Sequence, residues 1–457
     1  MFSKFNKLET KTTTRVQIFF IFILVANSIA LLIQSLLPSY LRYDASASLS
    51  AVVSDEHCDI KTQSIGAHCF SDFYTPLDFV NLDNPWTNTI NPYPPIANFL
   101  QKPFSILVSF MPKSHIPLGI FFTFVIIFLL IPIIYEYKLK RIGFVGAGVL
   151  LSATLSFAPI IVAIDRGNNQ LFVYPLIYFF YVSFLNKNIK ALFILNLIIF
   201  LIKPQMILLS IIFLILKKYK IFFVWITSSV SLFFLSFLLY PVSFPENVIS
   251  YAKQIPMYNG YTNAGSINPV NLSLTNTLST FERIALHFNN SLSSKDPLGK
   301  WDYYPSYYTI FVLAVLILLI LSRATYRNDI ENLFLVICLP ILIPNVSFAY
   351  YLVMLLPINL MLLRTIVDKT QFDTQRTLNF NMLEKNSIII LFKKKEVFVL
   401  FLITNLLLFV PWGIPWNIFR NLSNIPGTEI GINWIFGQIS LILLFFLVLL
   451  PKNKIDI

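Results

Sequence analysis

The chain has 457 residues, of which 56% are hydrophobic and only 12% are charged, and its formal net charge is +12. A mean hydropathy of +0.71 excludes an ordinary soluble domain. Apolar runs long enough to cross a bilayer recur along the sequence, and in lipid such runs form helices because the backbone must satisfy its own hydrogen bonds. We therefore expect an all-α polytopic membrane protein whose positive charge reports topology and not nucleic-acid binding.

The first apolar run, 16–37, follows four basic residues at positions 4, 7, 11 and 15. A cleaved signal peptide is the competing interpretation, but its apolar core would be shorter and a small-residue cleavage site would follow. The run continues through Leu31-LIQSLL without a clear site. We therefore expect an uncleaved membrane helix.

Basic clusters recur after every second predicted helix, for example at 138–141, 217–220 and 393–395. Cytoplasmic loops carry an excess of Lys and Arg, so these clusters favour a plasma-membrane protein of about twelve helices with both termini in the cytoplasm. The chain 1–457 is then one integral membrane domain. Several spans are short, which suggests half-buried segments lining a cavity. The predicted spans are 16–37, 116–136, 142–163, 171–185, 191–203, 206–216, 221–240, 306–322, 331–344, 351–365, 397–413 and 433–451.

Two large loops lie outside the cell on this topology, the first at 38–115 and the fourth at 241–305, while 366–396 forms a cytoplasmic loop. The first loop is acidic and contains Cys58 and Cys69, which we expect to form a disulfide because the outside is usually oxidising. Free thiols, or a zinc site with His57 and His68, are the alternatives. The four histidines are otherwise scattered, so we expect no metal.

Two polar breaks interrupt the apolar pattern, at Asp165-RGNNQ and at Lys203-PQ. Both fall on the outer side, where they would converge with the large loops. They are either wet hairpin turns, with the first two residues of 165–170 paired, or parts of one site. Arg and Lys suit a phosphate, and amides add neutral hydrogen-bond donors. The candidate residues in these breaks are Arg166, Asn168, Asn169, Gln170, Lys203 and Gln205.

Sugar transfer also needs a carboxylate that takes a proton from the attacking hydroxyl. The first loop offers Asp72 and Asp78 in the stretch Ser71-DFYTPLDFV, flanked by aromatic residues that could stack on a sugar ring. Composition alone does not distinguish either aspartate from an ordinary solvated one.

An ordered series of short motifs runs from about residue 60 to about residue 360. It resembles the pattern of the DUF2029 membrane glycosyltransferases, the GT87 family of the GT-C superfamily. Each motif is weak alone, whereas their order and spacing together are fairly specific. The matching positions are Asp72, Asn84-Pro85, Tyr93-Pro94-Pro95, Pro103, Arg166-GNNQ, Lys203-Pro204, Asn271-LSL, Arg283 and Pro344-NVSFAYY.

The resemblance implies a GT-C fold and transfer, with inversion, of a hexose, most often mannose, from a polyprenyl-phosphate donor to a glycolipid or glycan outside the membrane. Asp72 would be the general base, or Asp78 in its place, and no cofactor is implied. The donor phosphate would be held by Arg166, Lys203 and Arg283, and the polar lining would include Asn271, Gln205, Tyr93 and Tyr350.

Three departures from the family pattern bear on activity. Phe348 stands where the family usually has Trp, Tyr350 stands where it usually has His, and the Gln and Asn order after Arg166 is scrambled. A tyrosine can donate a hydrogen bond to phosphate but carries no positive charge. The alternatives are a glycan polymerase or ligase that uses a polyprenyl-diphosphate glycan, and a transporter, which would show internal repeats that this chain lacks.

Overall fold

The computed structural model describes 25, 29, 71–77, 79–87, 91–110, 116–139, 143–263, 273–274, 277, 306–327, 329–344, 349–358, 395–409 and 432–449. Over these ranges the chain is helical and contains no strand.

The helices are numbered here in chain order, and two longer 3-10 helices are named η1 and η2. The first group comprises α1 (Ser71–Leu77), α2 (Pro95–Phe110), α3 (Ile116–Lys138), α4 (Phe144–Ser156), α5 (Ala158–Arg166), α6 (Gln170–Leu185), α7 (Ile189–Ile202), η1 (Pro204–Ser210) and α8 (Ile211–Ile215). The second comprises α9 (Tyr219–Ser236), α10 (Glu246–Asn263), α11 (Ser306–Ser322), α12 (Asp329–Leu342), η2 (Ala349–Leu355), α13 (Lys395–Phe409) and α14 (Ile432–Leu449).

By length and composition, two helical segments in the described part are able to cross a membrane, Ile116–Lys138 and Tyr219–Leu239. The second combines α9 with a short 3-10 extension, Phe237–Leu239. These segments indicate membrane association and lie where the sequence places spans. The other predicted spans within the described ranges also contain helical segments, but these are shorter, so the twelve-span topology stays a prediction.

The helices depart from the predicted pattern in three places. The single helix predicted over 142–163 is broken at Phe157, which has an extended backbone and separates α4 from α5. Pro159 lies in the first turn of α5, a position at which proline costs no helical hydrogen bond. The span predicted over 351–365 begins as the 3-10 helix η2. The predicted outer loops contain helices α1, α2 and α10.

The core is built around α6 and α12. In α12 every side chain from Ile330 to Leu342 is buried, and in α6 most are. Helices that are buried on all sides lie in the middle of a bundle. Accordingly α6 packs against α3, α5, α7 and η2, while α12 packs against η1, η2, α8 and α14.

The 3-10 helix η2 enters this core, so its backbone needs partners from other elements. The buried hydroxyl of Tyr181 on α6 donates to the carbonyl of Met354 at 3.1 Å. A backbone carbonyl without a partner in an apolar interior is costly, and this bond satisfies one. The irregular backbone of η2 is thereby held within the bundle, beside the polar residues of the candidate site.

Candidate functional site

The turn between α5 and α6 falls within the first polar break of the sequence, residues 165–170. Gly167 follows α5 with φ +62°, and the backbone N–H of Asn168 bonds to the carbonyl of Ala163 at 2.9 Å, which closes the helix with a Schellman-type cap. A Cβ on Gly167 would lie 2.6 Å from the Cβ of Phe73 on α1. Glycine is therefore required here by the backbone angle and by the close approach of α1.

Asn168 links this turn to the predicted base. Its Oδ1 accepts the backbone N–H of Gln170 at 2.8 Å, and its Nδ2 donates to Oδ2 of Asp72 at 2.6 Å. The first bond fixes which end of the amide is the acceptor, so the NH₂ group is directed at the carboxylate. Asn168 is fully buried and Asp72 is half-buried. The geometry thus orients the Asp72 carboxylate.

Aromatic packing holds α1 in place beneath that carboxylate. Phe73 is fully buried, with its ring centre 4.7 Å from that of Phe121 and 5.7 Å from that of Phe104. The next residue, Tyr74, is partly buried, and this burial raises the pKa of its phenol. The phenol is therefore protonated at neutral pH and remains a hydrogen-bond donor.

Lys203 occupies the second polar break, between α7 and η1. Its backbone is extended, and Pro204 follows as the first residue of η1. A residue before proline is disfavoured in the helical region, so α7 ends here and the chain changes direction. Lys203 is only 5% exposed, although it carries a positive charge.

Two tyrosine rings flank the ammonium group of Lys203. Its Nζ lies 5.5 Å from the ring centre of Tyr93, in the first predicted loop, and 5.6 Å from that of Tyr351, in η2. Gln205 Nε2 donates to the Tyr351 hydroxyl. Each ring attracts the cation through its negative face. Three separate parts of the chain are therefore gathered around one buried lysine.

Tyr93 is held by hydrogen bonds to its backbone carbonyl. This oxygen accepts the indole N–H of Trp86 at 3.0 Å and the side-chain amide of Asn98 at 3.3 Å. The carbonyl of Trp86 in turn accepts Nε2 of Gln254, on α10, at 2.8 Å. The Trp86 ring is enclosed by three aromatic side chains, two from the segment that follows α9 and one from α10, namely Phe237, Tyr240 and Tyr251.

Asn169 and Gln170 contribute unmet hydrogen-bonding capacity to the same turn. Both residues are buried, and among the residues that the structure describes neither the nitrogen nor the oxygen of either side-chain amide has a hydrogen-bond partner. A buried polar atom without a partner costs about 1–3 kcal/mol. Such groups indicate a place where water or a ligand hydroxyl completes the bonding.

Packing between elements brings the two polar breaks to one end of the bundle. Helix α5, which precedes the Asn168 turn, contacts both α1, which carries Asp72, and η2, which carries Tyr351. Because α6 and α7 are antiparallel neighbours joined by a short turn, the start of α6 and the end of α7 lie at the same end. The two breaks therefore lie at the same end of the bundle, and their convergence on one site stays a prediction.

We compared the chain with protein-family models, curated proteins and solved structures. None of them matches. The candidate site is thus interpreted from its own geometry and from the motif resemblance described above.

Several predicted site residues lie outside the described part of the chain or are described only by their backbone. Asp78, Asn271, Arg283, Cys58 and Cys69 lie outside it, while Arg166 and Tyr350 are placed by their backbones only. Within the described ranges, no three His, Cys, Asp or Glu side chains come together as a metal-binding group. The disulfide, the two arginines and Asn271 therefore stay predictions.

The structure adds two residues that the sequence did not single out. Tyr351 places a ring beside Lys203, and Trp86 holds the carbonyl of Tyr93. Tyr351 directly follows Tyr350, which the motif resemblance selects. The only sequence signal for Trp86 is its place in the Asn84-Pro85-Trp86 stretch, which pattern alone could not connect to a distant lysine.

Proposed function

We propose that the protein is a membrane glycosyltransferase that moves a hexose, with mannose as the first candidate, from a polyprenyl-phosphate donor to a hydroxyl of a glycolipid or glycan. The observation that carries this proposal is that an amide-oriented carboxylate and a buried lysine lie at the same end of the bundle. A general base and a cation for the leaving phosphate are the two groups that this transfer needs.

Lys203 is proposed to bind the donor phosphate. Loss of the sugar leaves a negative charge on the polyprenyl phosphate, and a cation poised in a water-poor site stabilises that charge in the transition state. Its two flanking rings, Tyr93 and Tyr351, limit the directions from which an anion approaches the ammonium. By the motif resemblance, Arg166 and Arg283 complete the phosphate site.

Asp72 is proposed to be the general base. The acceptor oxygen forms a bond to the anomeric carbon as its proton passes to the carboxylate, and the bond from that carbon to the phosphate oxygen breaks with its electron pair remaining on the phosphate. One displacement of this kind inverts the anomeric configuration. The bond from Asn168 to Oδ2 keeps the carboxylate oriented for this proton transfer.

The amides of Asn169 and Gln170 are proposed to recognise sugar hydroxyls. An amide offers both donors and acceptors, as a hydroxyl does, and these two have unused positions for both. They follow Asn168 in the chain, so a hydroxyl bound to them is close to the turn that orients Asp72.

The wider assignment belongs to the same proposal. We place the chain with the DUF2029 (GT87) glycosyltransferases of the GT-C superfamily, as a plasma-membrane protein of about twelve spans with both termini in the cytoplasm and the site outside. The motif order supports this assignment, as do the two helical segments able to cross a membrane.

The proposal is tested by assaying the purified protein in lipid with radiolabelled polyprenyl-phosphate mannose and a membrane glycolipid extract. Wild type is compared with Asp72→Asn and with Asp83→Asn, a matched change at an exposed aspartate nearby. We expect Asp72→Asn to lower kcat by about a hundredfold to ten-thousandfold, because a general base contributes that much. Asp83→Asn should be as active as wild type.

Each contrary outcome has a distinct meaning. Full transfer by Asp72→Asn would remove this residue from the mechanism and make Asp78 the next residue to test. Absence of transfer by wild type, followed by activity on a polyprenyl-diphosphate glycan, would replace the proposal with a glycan polymerase or ligase.

A further inference from the structure

Helix α2 has its polarity reversed relative to a helix on a soluble protein. Its inward side contains Asn98, Gln101 and Ser105, which are 0%, 5% and 5% exposed. Its outward side contains four large apolar residues that are 45–77% exposed, namely Phe99, Leu100, Ile106 and Phe110.

Burying polar side chains while exposing large apolar ones is unfavourable for a helix that faces water. On a water-facing helix the apolar stripe faces the core and the polar residues face out. Scattered exposed apolar side chains are ordinary, but a helix that buries its amides and exposes its large apolar residues indicates an apolar surrounding medium. Two of these inward polar groups have hydrogen-bond partners: the Asn98 amide donates to the carbonyl of Tyr93, and the Ser105 hydroxyl donates to that of Leu77.

The neighbours of α2 show which apolar medium is available. Helix α2 packs against α3 and α9, which contain the two segments long and apolar enough to cross a membrane. Phe104 of α2 meets Phe124 of α3, which is itself 46% exposed, with ring centres 6.2 Å apart. At the other neighbour, Leu235 and Leu238 are also exposed. The exposed apolar residues of α2 therefore belong to a helix that packs against both candidate spans, each of which also exposes large apolar residues.

We propose that the outward side of α2 lies against the acyl chains of one membrane leaflet. The predicted first loop is then not wholly outside the membrane, because α2, near the C-terminal end of that loop, is embedded at the edge of the bundle. Tyr93, beside Lys203, lies two residues before α2, so this contact sets the level of the candidate site relative to the lipid. The inference rests on the membrane embedding within the proposed function, but not on sugar transfer.

Photo-crosslinking tests the proposal without any assay of activity. The photoreactive residue p-benzoylphenylalanine replaces Leu100 or Ile106 in the full-length protein, reconstituted in vesicles of phosphatidylcholine with tritium-labelled acyl chains. The same residue at Phe124, on a candidate span, is the positive control, and at Asp83, an exposed charged position, it is the negative control. Illumination is followed by separation on a denaturing gel, so that lipid adducts, dimers and internal crosslinks are distinguished.

We expect tritium on the protein with the probe at positions 100 and 106, at a level comparable with position 124 and well above position 83. A crosslink to a second copy or to another part of the chain, in place of lipid, overturns the proposal, because some other surface then covers α2. Lack of label at 100 and 106 while 124 is labelled also overturns it. Lack of label at all four positions overturns both this inference and the membrane embedding. Lipid labelling in a protein that transfers no sugar leaves this inference standing while the proposed function fails.

Discussion

The ammonium of Lys203 lies 5.5 Å from the ring centre of Tyr93, although the two residues belong to different breaks in the helical pattern. Lys203 ends α7, whereas Tyr93 precedes α2 in what the sequence presents as a long outer loop. The contact shows that this loop segment forms one wall of the candidate site. Substitutions at these residues and at their neighbours test what each contributes to the site.

Replacing Lys203 with Met should remove the charge while keeping a long side chain between the two tyrosines. A hydrogen bond to a charged group is worth about 1.5–3 kcal/mol. This corresponds to roughly a 10- to 150-fold fall in kcat/KM for the polyprenyl-phosphate donor. Lys203→Arg, which keeps the charge but changes its shape, should fall between wild type and Lys203→Met. Equal kcat/KM for wild type and Lys203→Met would exclude a role for this lysine in donor binding.

Tyr351→Phe should raise the donor KM several-fold. It removes the hydroxyl that accepts a hydrogen bond from Gln205 Nε2, so this amide loses its partner. The matched variant is Tyr350→Phe, at the position that the motif resemblance selects. A larger effect at Tyr351 favours the geometry seen here. A larger effect at Tyr350 would mean that the motif, and not the observed ring contact, identifies the residue at the donor.

Gly167→Ala should damage both stability and activity. The added Cβ would meet Phe73 at 2.6 Å and would force a left-handed backbone on alanine, which costs about 1–2 kcal/mol before any clash. The control is Gly148→Ala on α4, where nothing lies within 4 Å of the added Cβ and a helix favours alanine. Thermal unfolding in detergent should show a lower midpoint for Gly167→Ala only. Identical midpoints for the two variants would contradict the close approach of α1.

Trp86→Phe should keep the aromatic packing but remove the indole N–H that holds the carbonyl of Tyr93. We expect a higher donor KM with a smaller change in kcat. The reason is that Tyr93, beside Lys203, shifts while Asp72 does not. Trp225→Phe is the matched control, since that tryptophan is also buried but its indole N–H has no partner in the structure. If Trp86 had only a structural role, Trp86→Phe would behave like Trp225→Phe. Both variants would then yield less folded protein, and neither would change the donor KM.

Much of the helix pattern was predictable, because hydrophobic runs and prolines act locally. The end of α7 at Lys203, the turn at Gly167 and the core helix over 329–342 each lie within a few residues of the expected place. The break at Phe157 and the 3-10 start of η2 were not predicted, although Pro159 lies two residues after Phe157. Within an apolar stretch, packing against neighbouring helices decides where a helix breaks. A single sequence does not reveal that packing.

The candidate site was predictable in outline and not in detail. Charged or amide groups in an apolar chain stand out, so Lys203 and Asn168 were both identified. Which aspartate meets Asn168, and which tyrosine meets Lys203, depends on contacts between distant segments. Tyr351 was missed because tyrosines are frequent in this chain, and the pattern does not distinguish one beside a lysine from one at a lipid interface.

The unpartnered amides of Asn169 and Gln170 have a thermodynamic consequence. A ligand that supplies their missing hydrogen bonds binds the native state and has nothing equivalent to bind in the unfolded chain. Such a ligand raises the free energy of unfolding by RT ln(1 + [L]/Kd), which is about 2.7 kcal/mol at a hundredfold excess over Kd. The unliganded protein is then the less stable form, and its melting temperature becomes a titration curve for any ligand that binds these two amides.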